Sequence, residues 1–282
     1  MDPIKALQTR IIPLLVIGLA FSFSALGQSQ HINFPPLLDE GFHQMYNLQF
    51  VQAHTTFAKF MADHPLDPMG PVCDAAAYLF SEFNRTGVLD VQLFTSDKNY
   101  LHHTSTPDTA VKAIFDKQLE RANQLADAIL TKNPKDATAL FAKTLALGLH
   151  ADYSSLVERK DLTGFEYTKT GSVYAHRLLE VDPHAYDAYL AVGMENYILG
   201  LKPAPVRWLL QMAGGETNKT LGEQDLELTA AQGHYLAPLA KLLLAVAAIR
   251  DKDKPKARQL LSSLAHEFPN NPLYAKQLAK IS

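Results

Sequence analysis

The residues richest in chemistry flank a break in the chain. Tyr186, Tyr189, Glu195, Asn196 and Tyr197 fall on one short helical stretch, and Arg207 and Trp208 follow the segment Gly200-Leu201-Lys202-Pro203-Ala204-Pro205. Aromatic rings and arginine concentrate binding energy, and an asparagine amide pairs with a peptide backbone, so this set fits recognition of a partner. The same tyrosines also fit packing, with rings between helices and hydroxyls at the rim. A Glu195–Arg207 pair would then tie the irregular segment to the helix before it.

Catalytic patterns are missing. The sequence has no phosphate-binding glycine loop with its lysine, no His-Glu-x-x-His, no Gly-x-Ser-x-Gly and no paired cysteines. Gly214-Gly215-Glu216-Thr217 precedes a helix but lacks the lysine of a nucleotide site, and reads as a turn. His102 and His103 are adjacent, so they cannot share one helix face, and no carboxylate or cysteine completes a metal-ligand spacing. The lone Cys73 sits among Val72, Ala75, Ala76 and Ala77, and reads as a small buried hydrophobe. The expectation is a non-enzymatic protein with no metal and no cofactor.

Residues 1–27 have the order of a secretory leader. Lys5 and Arg10 make a basic start, Ile11 to Ala20 is apolar apart from Pro13 and Gly18, and Ser22, Ser24, Ala25 and Gly27 are small. Cleavage is expected between Gly27 and Gln28, which leaves residues 28–282 as one exported domain, periplasmic or secreted. An uncleaved leader would instead tether the chain to a membrane. The net charge of −3 is too mild to imply nucleic acid or an anionic membrane as partner.

A four-point spacing positions the rest. A small residue, an apolar one four later, another three later and a proline five later appear as Ala53, Phe57, Phe60, Pro65. They recur as Ala122, Ala126, Ile129, Pro134, then Gly171, Ala175, Leu178, Pro183, and finally Ala257, Leu261, Leu264, Pro269. The first three points share one helix face, and the proline stops the helix. The spacing resembles the second helix of a tetratricopeptide repeat, with Gly41 at the close crossing on the helix before Ala53. Of the proline-to-proline intervals only Pro65 to Pro134 is close to two of the family's periods of about 34 residues, so insertions or irregular repeats are expected between the others. The clearest units cover about residues 34–67, 109–136, 166–199 and 236–270.

No stretch alternates with period two, so the fold class is all-α: a solenoid of antiparallel helix pairs with insertions. Pro35-Pro36 reads as a block to helix formation, Thr106 as a helix cap, and Thr95 to Pro107 as a loop without structure. Asp152 to Thr163 is ambiguous. Gly233 replaces proline as a helix stop, and Asn271-Pro272 opens a short helix expected to cover the open end.

In the tetratricopeptide family the first helix of each pair lines the concave surface where peptides lie. The resemblance therefore implies that Glu82, Lys143, Tyr189, Asn196 and Arg250 face a groove, with Glu195 and Arg207 beside it. The function expected is a protein-interaction module for a protein, peptide or cell-envelope component. A membrane-tethered assembly subunit and a hydrolase on a helical scaffold are the alternatives.

Overall fold

The structure is a computed structural model that describes residues 31–94, 97–103, 106–201, 204–212 and 219–281. The leader, Thr217 and the Gly214-Gly215 turn lie outside the described residues. Every regular element among those described is helical.

Helices α1 (Pro36–Tyr46) and α2 (Phe50–Asp63) form the first antiparallel pair. Pro36 does not block α1. It occupies the first turn, where a missing N–H costs nothing. Gly41 lets the pair close, because a Cβ there would run into the ring of Phe57. The second pair joins α3 (Met69–Thr86) to a later helix, and an insertion lies between them. That insertion folds as a 3₁₀ turn, Val91–Phe94, and a short helix α4 (Asp97–His102), so the expected unstructured loop is half helical. Helix α5 (Thr109–Lys132) completes the pair. Its cap is Asp108 rather than Thr106, with Asp108 Oδ1 accepting from the amides of Ala110 at 2.9 Å and Val111 at 3.1 Å.

The third pair is α6 (Ala137–Asp152) and α7 (Asp161–Val181), and the ambiguous stretch between them is a π turn over Tyr153–Val157. Asp136 caps α6 as its position predicts, 3.0 Å from the amide of Ala139. In the fourth pair α8 (Ala188–Leu201) meets its partner across a second insertion, α9 (Ala204–Met212), and the partner is α10 (Lys219–Gln232). Helices α11 (Ala237–Arg250) and α12 (Lys254–Glu267) form the fifth pair, and α13 (Pro272–Ile281) packs on α12.

Each pair packs on the next, and the repeat spacing is what the core uses. Ala53, Phe57, Phe60, Ala126, Ala175, Leu178, Ala257, Leu261 and Leu264 are all at most 1% exposed. Two stop devices alternate along the chain. Helices α2, α5, α7 and α12 end in a non-helical residue before a proline: His64, Asn133, Asp182 and Phe268. Helices α1 and α11 end in left-handed residues instead, Leu48 (φ 61°) and Lys252 (φ 62°). In both, the next amide bonds five residues back, Gln49 to Gln44 O at 2.9 Å and Asp253 to Ala248 O at 2.8 Å. This is the six-to-one bond of a Schellman motif, made here with leucine and lysine where glycine is usual.

The last turns of the chain return to the first pair. Tyr235 stacks on Phe42 with ring centroids 4.3 Å apart, and its carbonyl accepts from Tyr46 Oη at 2.9 Å. Asn271 Nδ2 donates to Tyr46 O, and Asn47 Oδ1 accepts from the Asn270 amide, both at 3.0 Å. The lead-in to α13 therefore docks on α1 as well as following α12. One carboxylate holds this region together. Asp187, 2% exposed, accepts from the amides of His234, Tyr235 and Leu236 at 2.8–3.0 Å. Burial pushes its carboxyl above the usual range, against the pull of those three amides. Gly233 is glycine for the same reason. A Cβ there would lie 2.6 Å from Asp187 Oδ1, so space and not a left-handed turn selects it.

Candidate functional site

The first helices of pairs two to five (α3, α6, α8 and α11) face a common interior, and the insertion between α3 and α5 lies across it. Glu82 and Arg85 close the base of this strap. Arg85 donates to Glu82 through Nε at 2.8 Å and Nη2 at 2.5 Å, and reaches Thr106 O at 2.6 Å. Glu82 Oε1 also accepts from the Asp108 amide at 2.9 Å. Further out, Arg250 Nη1 donates to Phe94 O at 2.9 Å. The Arg159 guanidinium lies 4.0 Å above the Tyr100 ring, and its Nη2 donates to Tyr100 O at 3.0 Å. Tyr100 is 3% exposed, and its hydroxyl donates to Asp161 Oδ1 at 3.2 Å. Arginine donors to main-chain carbonyls thus hold the strap down at both ends of its helical part.

Beneath the strap is a partly open cavity of ≈ 120 Å³. Phe80 and Phe83 of α3 form one wall, and Leu239, Leu242 and Val246 of α11 form the facing one. Val91, Phe94 and the Tyr100 ring make the roof. Among the described residues the lining also carries the polar side chains Asp152, Ser155 and Thr168, at and near the π turn. The Thr168 hydroxyl is already used, donating to Gly164 O at 3.0 Å.

Among the residues singled out from the resemblance whose side chains are described, none of Glu82, Lys143, Tyr189 and Arg250 lines this cavity. Glu82 is 1% exposed and spent on Arg85 and Asp108, so burial removes it from any groove surface. Lys143 pairs with Asp127 at 3.0 Å and lies 5.4 Å from the Tyr174 ring, which places its charge between neighbouring helices. Tyr189 is half-buried against Tyr186. Arg250 works on the strap. Glu195, Asn196 and Arg207 lie on α8 and α9, and their side chains are outside the described ones. The described lining comes from α3, α6, α7, α8, α11, the π turn and the strap, and most of it is aliphatic or aromatic. An apolar residue on such a helix carries no signal that separates a pocket wall from core.

Two other groupings were invisible in the sequence. His54 Nδ1 lies 2.6 Å from Asp74 Oδ1, and Asp74 Oδ2 accepts from Gln118 Nε2 at 2.7 Å. This matches the base and orienting acid of a nucleophilic site. Among the described contacts, however, His54 makes no hydrogen bond to a serine, threonine or cysteine, so the trio links α2, α3 and α5. Cys73 is fully buried, and burial pushes its thiol pKa well up, which suits a packing role. His103 is half-buried beside Arg159, and both burial and that charge lower its pKa. No cluster of three metal-ligating side chains occurs among the described residues.

Comparison with protein-family models, curated proteins and solved structures finds no significant match to this chain. Fold and site together define the class as an all-α protein built by sequential packing of helix pairs, compatible in general terms with an interaction scaffold.

Proposed function

We propose that the protein is an exported, non-enzymatic binding module of tetratricopeptide-like repeats, whose inner face holds an apolar group presented by a protein, peptide or cell-envelope partner. The observation that carries this reading is the partly open apolar cavity where the first helices of four pairs converge. Ligand sites are typically concave and mostly apolar with a few convergent polar groups, and this one has that composition. The repeat type is supported by the first and fifth pairs. Each runs close to the family's period of about 34 residues, from α1 to the start of α3 and from α11 to the start of α13. Export rests on the leader pattern alone.

The test is co-purification from the native host, followed by affinity measurement with the partner so found. Leu242→Trp fills the cavity, whereas Tyr189→Ala probes the outer aromatic patch. Loss of binding in Leu242→Trp with a parent-like melt supports the inner face. Unchanged affinity there would refute it, and a loss confined to Tyr189→Ala would move the site to α8.

A further inference from the structure

We infer that helix α9 is an interfacial docking element, which lays an apolar stripe into a lipid surface carrying anionic head groups. Pro205, Trp208, Leu209 and Met212 are all exposed, Trp208 at 63%, Leu209 at 41% and Met212 at 68%. At helical spacing these four positions fall within about 100° of one another, so they form one stripe. Val206 lies off that stripe and is half-buried, and α9 contacts α7 and α8. The helix is thus held to the solenoid while its apolar side faces water. None of the four stripe residues lines the cavity, so this surface is independent of the inner face.

Area argues for a lipid over a protein partner. Three large side chains at these exposures leave on the order of 400 Å² in water, about half the ~800 Å² that each side of a standard protein interface buries. An interfacial helix needs no more than that, and tryptophan is the residue that favours the head-group level. At nine residues α9 is too short to cross a bilayer, so it lies along one. Charge selects the kind of surface. From Gly200 to Thr220 the sequence carries three cations, Lys202, Arg207 and Lys219, against one anion, Glu216. The whole chain has a net charge of −3, so this excess is local to the insertion. At helical spacing position 207 also borders the stripe, the place of a basic residue on a helix that lies in an anionic interface.

Trp208 is the only tryptophan in the sequence, so its fluorescence reads α9 directly. The leader has no tryptophan, and its own insertion in a membrane gives no such signal. The experiment titrates the purified protein with vesicles of phosphatidylcholine alone, and with vesicles of phosphatidylcholine and phosphatidylglycerol in equal parts. The anionic vesicles should shift the Trp208 emission to the blue, and brominated acyl chains should quench it. Affinity should be roughly tenfold or more higher than for the neutral vesicles, and most of that gain should vanish at ~0.5 M salt. Arg207→Gln should weaken binding to the anionic vesicles about fivefold, the factor that one basic residue contributes at such a surface. Met212→Ser keeps the reporter and should weaken binding severalfold through lost apolar area. No shift with either vesicle, equal affinity for both, or binding undiminished by salt would overturn the proposal. So would emission already blue-shifted without lipid, or a shift that grows with protein concentration alone, since the chain itself or a second copy would then cover the stripe. Should a variant unfold by circular dichroism, the parent's ratio between the two vesicles still decides it.

Discussion

The two insertions occupy the same place in the repeat and have opposite fates. Each separates the first helix of a pair from the second, in pairs two and four. The one between α3 and α5 turns inward, buries Val91, Leu93 and Tyr100, and is held by Arg159 and Arg250. The one between α8 and α10 turns outward, leaving Trp208 at 63% and Met212 at 68% exposed on α9. The inward insertion becomes part of the core and shapes a cavity. The outward one leaves an apolar face, and both still allow the pair beneath to close. Close packing within a pair is therefore independent of what connects its helices, provided the second helix keeps its small and apolar positions.

The largest effect is expected where the α10–α11 turn is held to the start of α8. Asp187→Ala strands three amides, those of His234, Tyr235 and Leu236, and should destabilise by about 3 kcal/mol. A denaturant melt checks this. A loss below about 1 kcal/mol would mean that water replaces the carboxylate, and that the joint is less buried than Asp187 itself.

Next is the repeat register, which supports both insertions. Ala257 is fully buried, so Ala257→Leu should cost about 1–3 kcal/mol through overpacking. Gln259 on the same helix is exposed and makes a better control than Lys256, which bridges Glu223 at 3.1 Å and Glu227 at 2.8 Å. Equal melts for Ala257→Leu and Gln259→Leu would break the register.

That register was legible because its physics is local. A small residue at a crossing, apolar residues at three and four and a proline stop need no knowledge of the rest of the fold. The first and last pairs read best because their helices are joined by tight turns. The other stop device was hidden. Leu48 and Lys252 adopt left-handed φ without being glycine, and nothing in their side chains announces it. The cavity was hidden for a different reason. Its described walls come from five helices and a strap far apart in sequence, and each apolar residue alone looks like core. The polar residues that stood out, Glu82 and Arg250 among them, turned out to brace the strap.

The inward insertion offers a test of intermediate size. Arg159→Ala removes a guanidinium stacked 4.0 Å above Tyr100 and a hydrogen bond to its carbonyl. The expected cost is about 1–2 kcal/mol, since the contact is partly desolvated and charge-assisted. Hydrogen exchange should show it locally, with amides 97–103 losing protection while α11 and α12 keep theirs. Uniform loss across the chain would mean the strap is integral to the core and not an added layer.

The smallest effect is expected on α9. Trp208 and Met212 keep most of their surface in water, so replacing both with serine removes little buried area. The double variant Trp208→Ser, Met212→Ser should melt within about 0.5 kcal/mol of the parent, as exposed positions usually do. Serine lowers helix propensity slightly at each site, and that alone accounts for a few tenths of a kcal/mol. A loss above about 1 kcal/mol would show that α9 is packed in solution, and the contrast between the two insertions would then fail. A parent-like melt leaves the contrast standing, and it separates the two apolar features by their cost. Releasing the strap that roofs the cavity must cost stability, whereas altering the face of α9 need not.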